Sequence, residues 1–203
     1  MKRLSVFLYG LMLSVLCNAG NIEQTLLTLN QARTSYVADF TERIVMPKVH
    51  KEIVKKGRMY YCSNESLLMQ YTDPQGDYSL IRNGKFSASR KGHTTDFAMN
   101  EERPSQMYIL RETLLGSLSG NLQRVAKRNN AGISCSETAD TYVCTLKKES
   151  AKALDVNALE LIYDKPTGLL LSLKLIQQNG NYTVYEVSNG EADVAVPDAV
   201  WQQ

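Results

Sequence analysis

Short β-rich runs alternating with turn markers fill most of this sequence, and that alternation restricts the fold more than any other feature. Between residues 36 and 90 the runs are Phe40–Met46, Lys51–Cys62, Leu67–Thr72, Tyr78–Arg82 and Lys85–Arg90. Pro47, Ser63-Asn64, Asp73-Pro74-Gln75-Gly76 and Asn83-Gly84 separate them. The last third continues with Asn121–Arg128, Gly132–Cys135, Tyr142–Lys147, Ala158–Tyr163, Leu169–Gln177, Tyr182–Ser188 and Glu191–Val196. Asp164–Gly168, Asn179-Gly180 and Asn189-Gly190 are the turns that join them. Asn-Gly between two such runs is a strong hairpin signal, because both residues tolerate positive φ. About eleven strands joined by short turns predict one antiparallel sheet, and a sheet that large curls.

Two segments break the pattern. Ile22–Ala32 predicts a helix, with Ile22, Leu26 and Leu29 on one face. After Pro104, which can open a helix, Met107, Leu110, Leu114, Leu115 and Leu118 recur at helical spacing, and Gly116 and Gly120 mark the end. The predicted fold class is therefore α+β: a strongly curved antiparallel sheet, a half-open β-barrel of about eleven strands, with helices covering the concave face. Such a cover leaves an apolar cavity that suits apolar ligands.

The N-terminus reads as a cleaved leader. Lys2 and Arg3 precede the apolar run Leu4–Leu16, and Cys17-Asn18-Ala19 supplies small residues before a cleavage site after Ala19. Thirteen apolar-rich residues are too few to span a core of about 30 Å. Lipidation at Cys17 is the rival, and Leu16 fits it poorly, since that reaction favours a small residue before the cysteine. The rest, residues 20–203, is expected to be one exported domain. The whole chain carries 23 basic and 21 acidic residues, and losing Lys2 and Arg3 balances them. That balance argues against a nucleic-acid partner.

Catalytic chemistry is hard to assemble. His50 sits in a turn and His93 in a polar loop, neither with a partner motif. Gly116-Ser-Leu-Ser-Gly120 has Leu118 where a nucleophile elbow needs serine. Asp73 and Asp77 are explained by a turn, and no cysteine–histidine spacing suggests zinc. The sequence thus predicts no enzyme, no cofactor and no metal. Cys135 and Cys144 flank a polar turn between two strand-like runs, so a cross-strand disulfide and a pair of free thiols are both open. Cys62 is left over.

The order of motifs resembles the outer-membrane lipoprotein carrier family, the LolA type. Asp39-Phe40-Thr41-Glu42 is similar to its Phe-x-Gln-type start, with Glu42 where Gln is common. Gly57-Arg-Met-Tyr-Tyr61, Leu67-Leu-Met-Gln-Tyr71 with Pro74, and Asn83-Gly84-Lys85 follow in the family's order, and Val196-Pro197-Asp198-Ala199-Val200 is similar to its closing segment. The resemblance implies a monomeric, non-catalytic periplasmic chaperone. It implies that acylated lipoproteins or lipid are taken from an inner-membrane releasing complex and passed to an outer-membrane acceptor. Two departures stand out. Ser63-Asn64 replaces an Arg-Pro whose arginine ties the lid helices to the sheet in many members, and Met69 replaces a preferred aromatic. Strand alternation then gives the candidate acyl-lining residues: Met59 and Tyr61; Leu67, Met69 and Tyr71; Leu169, Leu171, Leu173 and Leu175; and Leu110, Leu114 and Leu118 from the helix.

Overall fold

The computed structural model describes residues 19–150, 152 and 155–203, with side chains from residue 22 onward. The leader expected over residues 1–19 lies, but for Ala19, outside the described residues, and so does Cys17. Eleven strands form one antiparallel sheet: β1 (Ser35–Met46), β2 (Lys51–Cys62), β3 (Ser66–Asp73), β4 (Gln75–Arg82), β5 (Lys85–Arg90), β6 (His93–Phe97), β7 (Ala131–Glu137), β8 (Thr141–Lys148), β9 (Val156–Asp164), β10 (Leu170–Gln177) and β11 (Tyr182–Ala192). The order β6-β5-β4-β3-β2-β1-β11-β10-β9-β8-β7 brings the ends of the chain's two β-rich halves together at β1 and β11. The curved sheet does not close into a barrel. Three helices are described: α1 (Ala19–Gln31), α2 (Gln106–Leu118) and α3 (Leu122–Asn129).

One face of the sheet carries the core. Tyr36, Ala38 and Phe40 of β1, Met59 and Tyr61 of β2, and Leu67, Met69 and Tyr71 of β3 point to it with a period of two. Leu159, Leu161 and Tyr163 of β9 continue it, and α1, α2 and α3 press Leu26, Leu115 and Val125 onto it. On the other face, register sets Leu68 opposite Leu80, and Arg82 shares that side. The C-terminal turn Asp198–Trp201 docks there, with Arg82 stacked 5.3 Å from the Trp201 ring centre.

Two glycines permit the close packing. A Cβ on Gly57 would come within 2.7 Å of the Phe40 ring and 2.3 Å of the Gln70 carbonyl oxygen. Gly120, at φ +66°, lets the α2–α3 turn approach the Leu26 carbonyl of α1, which a Cβ would meet at 2.5 Å.

Four expectations change. Asn121–Arg128 is not a strand: Asn121 accepts a hydrogen bond from the Arg124 N–H as N-cap, and α3 buries Leu122, Val125, Ala126 and Asn129 at helical spacing. His93 lies on the edge strand β6 rather than in a loop. Asn189-Gly190 is a bulge inside one continuous strand rather than a turn between two; the register slips there so that Gly190 can lie against the Tyr36 ring. A second irregularity at Leu171 breaks the alternation expected of Leu169, Leu171, Leu173 and Leu175. Leu170, Leu173 and Leu175 face the core instead.

Candidate functional site

The concave face supplies a small apolar hollow beneath α2. Its volume is about 20 Å³. Of the residues expected to line an acyl site, Met59, Leu67, Met69, Leu114, Leu118 and Leu173 surround it. Tyr61 and Tyr71 are buried in the same core without lining the hollow, and Leu110 and Leu169 are half-buried against that core. Leu171 is half-buried and outside it, because the bulge turns its side chain off the face. Phe40, Leu170, Tyr185 and Val187 complete the lining. Alternation within β1 and β11 could have found Phe40 and the pair Tyr185 and Val187; Leu170 depended on the bulge.

Charged side chains fasten the helices to the sheet at one end. Glu65, in the β2–β3 turn at φ 63°, accepts from Arg111 of α2 at 3.0 Å and from Arg124 of α3 at 2.6 Å. Glu112 of α2 is only 2% exposed; it accepts from Arg124 at 2.9 and 3.0 Å and also pairs with Arg111. Arg128 lies 3.5 Å from Glu112 and pairs with Glu101. Hydrogen bonding from Arg124 holds the Glu65 carboxyl below the usual range, and the bond to Glu112 raises Arg124 further. The residue joining the helices to the sheet is therefore an acid just after Ser63-Asn64, facing arginines on the helices. That is the reverse charge arrangement from the arginine that the family resemblance implies.

A second fastening holds α1. Asn30 donates to the Gly168 carbonyl at 3.0 Å, and Arg33 donates to the Thr167 carbonyl at 2.9 Å, both in the β9–β10 turn. Buried Tyr163 donates to the Ser117 carbonyl of α2 at 3.0 Å. Near the far end of the concave face lies a polar cluster. Glu42 is 5% exposed and accepts from the Tyr71 and Tyr185 hydroxyls, each at 3.0 Å, with the Lys55 ammonium at 3.2 Å. Burial, and then the Glu42 charge, push both tyrosine hydroxyls well above their ordinary range.

Cys135 and Cys144 face each other across β7 and β8 and are joined by a disulfide. Cys62 is a half-buried free thiol, and burial raises its pKa. Among the described residues no group of His, Cys, Asp and Glu is placed to hold a metal ion. No described helix is long and apolar enough to cross a membrane.

No protein-family model and no curated protein matches the sequence. Solved structures do match in fold. The chain is similar to MucB in the Pseudomonas aeruginosa MucA/MucB complex, with a TM-score of 0.54 and 11% identity over 92% of this chain and 61% of that one. It is similar to an uncharacterised conserved protein from Thermus thermophilus, with a TM-score of 0.53 and 10% identity over 89% and 92%. A LolA superfamily protein from Nitrosomonas europaea matches with a TM-score of 0.44 and 10% identity over 91% and 97%. At such identities the likeness is one of fold.

Proposed function

We propose that this chain is an exported, non-catalytic carrier that binds the acyl chains of lipoproteins beneath its helices and moves them from the inner to the outer membrane. The observation that carries this reading is the apolar concave face of an open sheet, covered by helices whose attachments at its rim are largely polar. Opening breaks that polar rim and also parts Leu26, Leu114, Leu115 and Leu118 from the sheet, an apolar contact that entering acyl chains would replace. Cleavage after Ala19 would leave one domain of residues 20–203, monomeric in the periplasm. The alternative cargo is another lipid or acylated envelope product.

The hollow holds only about 20 Å³. Ligand pockets run to roughly 300–1,000 Å³, so cargo enters only if α1 and α2 lift. Burying one 16-carbon chain gains ~12 kcal/mol gross, at ~0.8 kcal/mol per CH₂. Separating the helices from the core and breaking the Glu65 pairs subtracts from that. A carrier needs such a remainder, large enough to hold cargo and small enough to release it.

The filled interior also supports a second reading, a structural envelope module with a permanently packed core. MucB, similar in fold, has been solved with MucA(peri), and a module of that kind could hold a protein segment. Uptake of a fluorescent fatty acid by the purified chain separates the readings. Saturable uptake together with lipoproteins recovered from the native envelope supports the carrier; lipid alone supports the alternative cargo. No uptake at any temperature below unfolding ends both carrier readings.

A further inference from the structure

The concave face is graded from apolar to charged. One row beyond Phe40, on the side away from the Glu65 pairs, a polar belt crosses six neighbouring strands: Tyr185 of β11, Glu42 of β1, Lys55 of β2, Tyr71 of β3, Ser79 of β4 and Arg90 of β5. Register sets Glu42 directly between Tyr185 and Lys55. The Arg90 guanidinium lies 4.9 Å over the Tyr71 ring, donates through one nitrogen to the Ser79 hydroxyl at 3.0 Å, and through the other to the Tyr78 and Ser89 carbonyls. Lys55 covers the same ring at 5.2 Å. The belt is continuous with the hollow, because Tyr185 both lines the hollow and donates to Glu42.

Fold stability gives a poor account of this arrangement. Desolvating a carboxylate and a neighbouring ammonium costs more than packing apolar residues of the same size, and replacing a buried pair with such residues is often neutral or stabilising. A charged belt at the end of an apolar hollow instead complements an amphiphile, with its chains in the hollow and its head on the belt. One carboxylate paired with Lys55, with Arg90 across the Tyr71 ring as a second cation, matches a head that carries both an ammonium and an anionic oxygen group. We propose that the Glu42–Lys55–Arg90 belt is a head-group subsite for a zwitterionic aminophospholipid. Glu42 accepts from the ammonium, and Lys55 and Arg90 take the phosphate. The proposal rests on the carrier reading above and selects lipid over lipoprotein as cargo.

The test uses the full exported chain and an apolar fluorescent probe, N-phenyl-1-naphthylamine, whose uptake reports the hollow without engaging the belt. Phosphatidylethanolamine and phosphatidylglycerol with identical acyl chains then compete. The wild type should favour phosphatidylethanolamine about tenfold, a difference of about 1.4 kcal/mol. Glu42→Gln should abolish that preference while probe uptake stays within twofold. Tyr185→Phe, which removes one hydroxyl on Glu42 and keeps the ring, should weaken it and serves if Glu42→Gln does not fold. Equal competition by the two lipids in the wild type, or an unchanged ratio in a folded variant, overturns the subsite and leaves the carrier reading standing. A wild type that takes up neither probe nor lipid overturns the carrier reading and the subsite with it.

Discussion

Glu65 shows how little a residue's neighbours in sequence reveal about its work. It follows Ser63-Asn64 in a polar turn and reads as a solvated acid, yet it meets arginines from two helices. Those arginines come from positions 46 and 59 residues away, a separation no local pattern encodes. Glu65→Gln should cost about 1 kcal/mol, the upper end for a partly exposed pair, and lower the melting temperature by roughly 2–4 °C for a domain of this size. It should also speed probe uptake; an unchanged rate would mean that Glu65 does not restrain the helices. At the hollow, Met69→Ala should cost ~2–4 kcal/mol in urea unfolding, because the lining relaxes only partly around lost atoms. Leu171→Asp, turned off the hollow by the bulge, should leave uptake within twofold of wild type.

Among the elements, α3 and β11 mark where local reading stops. The run Leu122–Asn129 leads into β7, and its helical spacing of Leu122, Val125 and Ala126 is only two turns long, so strand and helix patterns compete. The Asn121 cap settles it locally, and burial against Gly116 of α2 and the core settles it globally. Asn121→Ala should therefore cost about 1 kcal/mol, seen as a lower urea midpoint with an unchanged slope. Asn189-Gly190 is the same hairpin dipeptide as Asn83-Gly84 and Asn179-Gly180 and makes no hairpin. Pairing of β11 with the long strand β1 on both sides of the slip outweighs the turn preference, and a bulge absorbs the extra residue. The runs that matched, such as Lys51–Cys62 and Lys85–Arg90, have strong turns at both ends and no competing period.

For the whole molecule, acid should loosen the helices. The Glu65 carboxyl is held below its ordinary value, so its stabilisation is complete above that value. It is lost as pH falls through the lowered one. Amide exchange over α2 and α3, measured from neutral pH down through the carboxylate range, should show that protection falling before the strands β1 and β2 lose theirs. Cargo should act in the opposite direction on the intact fold: a ligand at a hundred times its Kd adds about 2.7 kcal/mol of stability. Calorimetry with an acyl ligand present checks this, and an unmoved transition would count against binding.

Most of the architecture was legible in the sequence because strand alternation and turn chemistry act over a few residues, and hydrophobic burial follows from them. The curled antiparallel sheet, its inward row on β2 and β3, and the helix α2 all come from that short-range physics. Which residues close the site did not, because charge pairing and ladder register join positions far apart in the chain. Glu65 with its arginines, the bulge that replaces Leu171 by Leu170, and the Glu42 belt exist only once strands and helices distant in the chain have been brought side by side.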